Sequence, residues 1–385
     1  MLWDPRELAE VQPTKVVVIG SFTPSLVNFR GPLLRALVER GHEVVAFGPE
    51  RDPPTEAALD AMGVRFVPIE LDRTGLNPVR DLWHAFRLLR RLREERPGAV
   101  LAYTIKPVVY ATPCAWMLRV PRRAAMIEGI GYAFGTTNVR QRLVGRIATW
   151  LYRIGLGSAN TVFFLNPDDR EEFVERRLVA RAKTLVIAGT GVDLDHYTRA
   201  DPPVTDGPVF LLIARLLKEK GITVFVDAAR MVRERFPNAR FQVLGPFDPH
   251  PDAITREQVD TWQEEGVIEY LGVTKDVRPY LAKCSAFVLP SYYREGLPRS
   301  TQEAMAMARP VITTDWIGCR ETVEAGVNGF LVPPRDAEAL AEACLRFVDT
   351  PGLVARMGAE SRRLAEERFD VRVLNERMLR VMGVG

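Results

Sequence analysis

The chain reads as two doubly wound α/β domains, each a parallel sheet covered by helices on both faces. Short runs rich in Val, Ile, Leu and Phe alternate with longer helix-like stretches from Lys15 to Leu165, and the alternation resumes from Val209 to Val332. Between the two series, Asp201-Pro-Pro-Val-Thr-Asp-Gly-Pro208 breaks the pattern and reads as a linker. The 385 residues, 47% hydrophobic and 26% charged, suit a globular chain with two cores. Such folds carry their ligand in a crevice outside the C-terminal ends of the strands, here expected between the two domains.

The first series predicts strands over Lys15–Gly20, Glu43–Phe47, Ala99–Ala102, Arg123–Ile127 and Thr161–Leu165, with a helix over Gly31–Arg40. Strands covered on both faces are apolar along nearly their whole length, as these are after a polar first residue in four of the five. Asn166-Pro-Asp-Asp169 reads as a helix start, with Asn as N-cap and Pro in the first position. The second series predicts strands over Val209–Ala214, Arg240–Leu244, Val267–Leu271, Ala286–Leu289, Val311–Thr313 and Gly329–Val332. No sequence repeat links the halves.

Composition excludes several classes. No run of about eighteen apolar residues exists, so a membrane-spanning helix is not expected. Met1 to Pro13 carries Asp4, Glu7 and Glu10 and lacks the basic start and apolar core of a secretory signal. Cys114, Cys284, Cys319 and Cys344 are scattered, with no Cys-x-x-Cys pair, which predicts free thiols in a reducing cytoplasm. The net charge of +3 is uneven: residues 1–200 hold 28 Lys and Arg against 22 Asp and Glu, and the remainder 24 against 27. Arg80 to Arg153 alone holds 14 basic and 4 acidic residues, which predicts an anionic partner. Within it, Arg80–Arg93 and Arg140–Arg153 are amphipathic and basic. Either these helices lie on an anionic membrane surface, or their apolar faces pack on the sheet and the arginines are merely solvated. No nucleic-acid module is recognised, so nucleic acid is not an expected partner.

The chemistry concentrates in Ser291-Tyr-Tyr-Arg-Glu-Gly-Leu-Pro-Arg-Ser-Thr-Gln-Glu-Ala304. Glu295 and Glu303, with seven residues between them, follow an apolar strand and lead into a helix-like run. The strand end delivers Glu295 to the crevice, Gly296-Leu297-Pro298 makes the turn, and Glu303 is expected near the helix N-terminus, where free amides hold phosphate. Carboxylates for sugar hydroxyls beside a helix end for diphosphate suit a sugar nucleotide. Spacing alone equally allows a strand-turn-helix with ordinary surface glutamates. Arg215 and Lys220, five positions apart after strand Val209–Ala214, are cations able to neutralise a departing diphosphate.

Other positions leave two readings open. Gly20, after the first strand, allows close approach of a phosphate or acceptor, or is a simple turn; no Gly-x-Gly-x-x-Gly accompanies it, against a nicotinamide fingerprint. Asp193-Leu-Asp195 matches a metal-binding Asp-x-Asp pattern but reads as a turn. His42, His84, His196 and His250 have no metal-ligand spacing, so no metal or other cofactor is expected. Lys106, in Tyr103-Thr-Ile-Lys-Pro107, is a candidate for acceptor diphosphate or a surface lysine. Glu128, in Ile127-Glu-Gly-Ile-Gly131, is placed to orient an acceptor hydroxyl or to cap a turn.

Taken together, these motifs resemble the retaining GT-B glycosyltransferases of family four. The likeness covers nearly the whole chain, through Ile19–Ser25, Arg40–Val44, Gly191–Asp195, Ala214–Lys220, Glu295–Pro298, Glu303–Ala306 and Gly326–Pro333. A narrower likeness, carried by Tyr103–Pro107, Ile127–Gly131, Phe164–Asn166 and Gly318-Cys319, is to enzymes that add N-acetylgalactosamine to an undecaprenyl-diphosphate-linked sugar. The resemblance implies an N-terminal acceptor domain over 1–200, rejoined by 367–385, and a nucleotide-sugar domain over 207–366. It implies that Glu303 binds ribose, Glu295 the donor sugar, and Arg215 and Lys220 the diphosphate with the amides of Gly296 and Leu297. Gly245 and Val273 would lie near the base. The implied donor is a UDP-N-acetylhexosamine, and the implied acceptor is lipid-linked or a surface glycan, met at the inner face of the plasma membrane. Many relatives carry a first-domain histidine near the reacting sugar; Tyr103–Pro107 has none. An epimerase or hydrolase of the same fold, or a non-catalytic sugar-nucleotide-binding or membrane-binding protein, are the competing readings. The presence together of Arg215, Lys220, Glu295 and Glu303 speaks against the last.

Overall fold

The computed structural model describes residues 12–71, 78–129, 139–250, 252–350 and 352–385, and side chains within these except at 78–79 and 139–146. Residues 1–11, the Ile130-Gly131 end of the Glu128 motif, and the side chains of Arg140, Arg142 and Arg146 lie outside the described residues. The chain forms two compact units: Met1–Thr190 with Val371–Gly385, and Gly191–Asp370.

The first unit is built on seven parallel strands: β1 (Lys15–Ile19), β2 (Glu43–Gly48), β3 (Arg65–Pro68), β4 (Ala99–Tyr103), β5 (Arg122–Ile127), β6 (Thr161–Phe164) and β7 (Thr184–Val186), in the order β3-β2-β1-β4-β5-β6-β7. The order reverses at β1 and β4, which places the ligand crevice of this fold type at their C-terminal ends. Val16 to Ile19 are fully buried, and Val17 and Ile19 pack with Val45, Phe47, Val100 and Ala102. The strands β3 and β7 escape the sequence reading: each is short and at a sheet edge, and neither carries the unbroken apolar run of a central strand. The helix Val371–Met382 belongs to this unit. Arg40 pairs with Glu376, and His42 bridges Thr14 N (3.1 Å) and Val384 O (3.0 Å), so His42 is a structural tie.

The second unit holds six parallel strands: β8 (Val209–Ile213), β9 (Arg240–Leu244), β10 (Glu269–Tyr270), β11 (Ala286–Leu289), β12 (Val311–Thr314) and β13 (Gly329–Val332), in the order β10-β9-β8-β11-β12-β13. The expected strand Val267–Leu271 shrinks to two paired residues at the sheet edge. Residues 191–200 fall with this unit because Val192 N donates to Phe369 O (2.8 Å) and Ala200 N to Met307 O. Fully buried Arg309 donates to the carbonyls of Ala200 and Asp201, fastening the start of the expected linker. All four cysteines are buried and unbridged. Among the described residues, no helix is long and apolar enough to cross a membrane.

Candidate active site

The C-terminal ends of β8, β9 and β10 form one continuous rim. Ala214 N donates to Leu244 O (3.1 Å), and Gly245 N donates to Gly272 O (2.9 Å), next to the exposed Val273. Gly245 has φ +151°, and a Cβ there would overlap the Ala214 carbonyl, so the position admits only glycine. Gly245 and Val273, 28 positions apart in sequence, thus lie side by side.

β11 lies between β8 and β12, and its end brings the charged cluster together. A 3₁₀ turn, Lys218–Lys220, follows β8. The Glu219 carbonyl accepts from Tyr292 N (2.8 Å) and Tyr293 N (3.0 Å), which laces this turn to the loop after β11. Lys220 and Glu295, 75 positions apart, consequently form an ion pair in which each side chain is 12% exposed. Ser291 Oγ lies 3.1 Å from Glu295 Oε1, and the Ser291 carbonyl accepts from the buried Thr314 hydroxyl. The Lys220 ammonium sits 4.9 Å from the centre of the Tyr293 ring. Arg215 turns instead to Asp248, Nη1 to Oδ2 2.6 Å, with its guanidinium half exposed. Burial works to raise the Asp248 carboxyl, but hydrogen bonds from the His250 amide and Arg215 outweigh it and hold the group below its ordinary value. The Tyr293 hydroxyl is pushed up by burial and by Glu295, with Arg215 opposing, so both members of the expected cation pair act on this one ring.

Gly296 and Leu297 are buried in the turn that follows. The helix runs Arg299–Ala306, so Glu303 stands in its second turn, not beside the first free amides as the sequence reading had it. Arg299 Nε donates to Glu303 Oε1 (3.0 Å), and the Tyr197 hydroxyl also bonds this carboxylate. Burial raises the Glu303 carboxyl above its ordinary value, with Arg299, Tyr197 and His196 opposing. Tyr197 arrives from the segment holding Asp193 and Asp195. Asp193 Oδ1 accepts from the amides of Asp195 (3.0 Å) and His196 (3.1 Å), so this carboxylate closes the turn that presents Tyr197. Among the described residues no group of three or more metal-ligating side chains lies together.

The first unit carries a second polar cluster at the ends of β1, β4 and β5. A Cβ on Gly20 would overlap the Tyr103 hydroxyl, so this glycine makes room for a buried ring. That hydroxyl bonds Ser25 Oγ (2.8 Å), and the Arg30 guanidinium lies 4.9 Å from the ring centre. Arg30, 2% exposed, pairs with Glu128, whose side chain remains 26% exposed. Thr104 has φ +67°, a costly conformation for a β-branched residue, held while its hydroxyl donates to Ser21 Oγ (2.7 Å). Lys106 does not stand as an open surface cation. Its ammonium pairs with Asp81 at 2.9 Å, both side chains being about nine-tenths buried. Tyr110 bonds the same carboxylate, and burial with Asp81 pushes its hydroxyl up to about 12.

The helix Pro78–Glu95 buries Leu88 and Leu92 but leaves Leu82, Trp83 and Phe86 more than half exposed. Three of its arginines are ion-paired: Arg87 with Glu70, and Arg90 and Arg91 with Glu94. Ile147 and Trp150 of Val139–Ser158 are also exposed. Sequence reasoning missed Tyr197, Tyr293, Asp248 and Arg30, none of which carries a local motif. Ser291 carried a signal, as the polar residue following a buried strand.

Comparison with known proteins bears on both units. A family model described as "Glycosyl transferase 4-like domain" matches residues 30–190, and "Glycosyl transferases group 1" matches residues 207–350. The chain is 26% identical, over 93% of its own length and 95% of the relative's, to N,N'-diacetylbacillosaminyl-diphospho-undecaprenol alpha-1,3-N-acetylgalactosaminyltransferase of Campylobacter jejuni. It is 24% identical to the alpha-D-kanosaminyltransferase of Streptomyces kanamyceticus, covering 90% and 97%. In fold it resembles a glycosyltransferase of Rickettsia africae (TM-score 0.78, 19% identity, 96% and 98% covered) and Anabaena HepE crystallised with UDP (TM-score 0.76, 18% identity, 96% and 99% covered). With one glycosyltransferase model on each parallel sheet, the chain belongs to the group 1, GT4-like glycosyltransferases of GT-B fold.

Proposed function

We propose that this glycosyltransferase is a retaining enzyme that transfers an N-acetylhexosamine from a UDP-sugar to a polyprenyl-diphosphate-linked or surface-glycan acceptor. The observation that carries the reading is the pairing of Lys220 with Glu295 at the adjoining ends of β8 and β11. A cation for diphosphate and a carboxylate for sugar hydroxyls meet within one side chain's reach. In this reading Arg215 and Lys220 take up the charge of the departing diphosphate, helped by the amides of Gly296 and Leu297. Glu295 holds the donor sugar, Glu303 the ribose, and Gly245 and Val273 border the base. A donor phosphate oxygen accepts the acceptor's proton as the acceptor attacks the same face, so the configuration is retained without a protein nucleophile. The protein's contribution is positioning and leaving-group stabilisation. Two side-chain cations supply the charge a metal would, so the step proceeds without one.

Glu128, anchored by Arg30 and still exposed, is the acceptor-side group, and Lys106 acts there through its pair with Asp81. The names of relatives support this direction: the Campylobacter jejuni enzyme acts on a diphospho-undecaprenol-linked sugar, and HepE was crystallised with UDP. Exposed Leu82, Trp83 and Phe86 beside arginines suit docking on the cytoplasmic face of a membrane that holds such an acceptor. The test is a screen of UDP- and GDP-sugars with and without a polyprenyl-diphosphate sugar, in excess EDTA. Anomer-retaining transfer from a UDP-N-acetylhexosamine is expected. Donor turnover without an acceptor would replace the reading with a hydrolase or epimerase, and activity restored only by manganese or magnesium would end the metal-free mechanism.

A further inference from the structure

We infer that Lys220 and Glu295 form a selectivity pair that favours a nucleoside diphosphate carrying its sugar over the bare nucleoside diphosphate. The inference rests on the donor-site reading above. It starts from the fact that the two groups assigned to different parts of the donor are each other's partner, both largely buried. Their backbones are not free to separate. Glu219 O holds the amides of Tyr292 (2.8 Å) and Tyr293 (3.0 Å), and Glu295 N donates to Tyr293 O (2.9 Å). Ligand binding therefore has to part the side chains, not the segments.

A phosphate that claims Lys220 leaves Glu295 mostly buried without its cation and brings new negative charge beside it. Removing one partner of a buried pair is penalised far more than the pair itself contributes. One remaining contact is the Ser291 hydroxyl, 3.1 Å from Glu295 Oε1 and 3.3 Å from Glu219 O. Its single proton serves one acceptor at a time. A sugar attached to the diphosphate changes this balance, because its hydroxyls donate to the carboxylate that Lys220 has left. Sugar and diphosphate thus bind cooperatively through one ion pair. The same pair aids turnover: once the sugar has gone to the acceptor, Glu295 competes again for Lys220, and the bare nucleoside diphosphate is released.

The experiment is calorimetric titration of UDP, UDP-N-acetylglucosamine and UDP-N-acetylgalactosamine into wild type, Glu295→Gln, Lys220→Ala and the double variant. Wild type should bind its UDP-sugar about tenfold or more tighter than UDP. Glu295→Gln should tighten UDP by about tenfold and weaken the UDP-sugar. That gain should vanish when Lys220 is also Ala. Glu295→Asp, whose shorter carboxylate withdraws from Lys220, should shift UDP affinity in the same direction and serves if the Gln variant folds poorly. Unchanged or weaker UDP binding in both Glu295 variants overturns the inference. So does a gain that persists without Lys220, which would mark general charge repulsion. If UDP and both UDP-sugars bind nothing in wild type or any variant, the donor-site reading itself falls, and the inference with it.

Discussion

At the ends of β8 and β11 in the second unit, Lys220 and Glu295 pair with each keeping 12% of its side chain open. At the strand ends of the first unit the burial is uneven. Arg30 is 2% exposed and its partner Glu128 26%, while Lys106 and Asp81, at 11% and 7%, are buried about as deeply as the Lys220 pair. A pair open on both sides can exchange its internal partner for a ligand. A pair with a sealed cation, as at Arg30, can only present its carboxylate, because parting the buried guanidinium from its partner would leave an uncompensated charge. Cation–carboxylate pairs therefore mark a place for an anionic ligand at Lys220 and a rigid support at Arg30.

The largest expected effects break this comparison directly. Lys220→Ala and Arg215→Ala should each lower turnover by about two orders of magnitude or more, in kcat as well as KM, because both cations act on charge that develops as the diphosphate leaves. Arg215→Ala should leave the fold intact, since its guanidinium is half exposed, whereas Lys220→Ala also leaves the buried Glu295 without this cation and should lower Tm. Steady-state kinetics beside a melting curve would decide it, and near-normal kcat in both variants would remove the assigned roles. The first unit should respond the other way. Lys106→Ala strands the buried Asp81 and should cost about 3 kcal/mol of stability. Pairing it with Asp81→Asn should recover much of that loss, because the uncompensated charge is then gone. A Lys106→Ala protein that melts like wild type but fails to use acceptor would return Lys106 to the open crevice.

The sequence made much of this legible, for reasons specific to each part. Strands covered on both faces are unbroken apolar runs, so β1, β4, β8, β9, β11 and β12 announce themselves. The edge strands β3 and β7 do not, because Arg65-Phe-Val-Pro68 and Thr184-Leu-Val186 bury too little to need such a run. Glu295 and Lys220 were readable because each directly follows a strong strand, and parallel strands end on one side of a sheet. The partners were not. Asp248 with Arg215, Asp81 with Lys106, Arg30 with Glu128 and Tyr197 with Glu303 are joined by loop and helix packing between distant segments. No period or spacing records such contacts. Which apolar residues of the basic helix face the core was visible only by placement: Leu88 and Leu92 pack inward while Leu82, Trp83 and Phe86 do not.

A smaller effect sharpens the account of the second unit. Burial raises the Glu303 carboxyl, while Arg299, Tyr197 and His196 oppose the shift without cancelling it. The folded state then holds its proton to higher pH than the unfolded chain, whose glutamate loses it near the ordinary value of 4.5. Stability therefore falls as pH rises from about 4.5 through the folded value, because the native protein binds more protons in that window. Glu303→Gln should remove this slope and raise Tm by a few degrees at neutral pH, while weakening nucleotide binding. Calorimetric melts between pH 4 and 8 would show it. A wild-type Tm that rises over that window would mean Arg299 and Tyr197 dominate, and would make Glu303 a stabilising ion-pair residue.

The smallest expected effect tests whether the first unit's exposed face has a use. On charge alone, the Arg80–Arg153 region should bind anionic vesicles, with each basic residue worth about 1 kcal/mol near the surface and screened by salt. Yet Arg87, Arg90 and Arg91 already have Glu70 and Glu94 as partners, which lowers what they offer a headgroup. Trp83 and Phe86, their rings 6.1 Å apart on one side of the helix, stay more than half exposed even with the Arg87 guanidinium 5.5 Å from the Trp83 ring centre. Vesicle binding should therefore depend on insertion as well as charge. Trp83→Ser with Phe86→Ser should reduce sedimentation with anionic vesicles about threefold, and Arg90→Ala with Arg91→Ala by less, since Glu94 already offsets part of their charge. High salt should weaken wild-type binding without abolishing it. Nucleotide affinity should be unchanged in all of them, because these residues belong to the other compact unit. If wild type ignores anionic vesicles even at low salt, the face is only solvated, and the acceptor must reach this enzyme from solution.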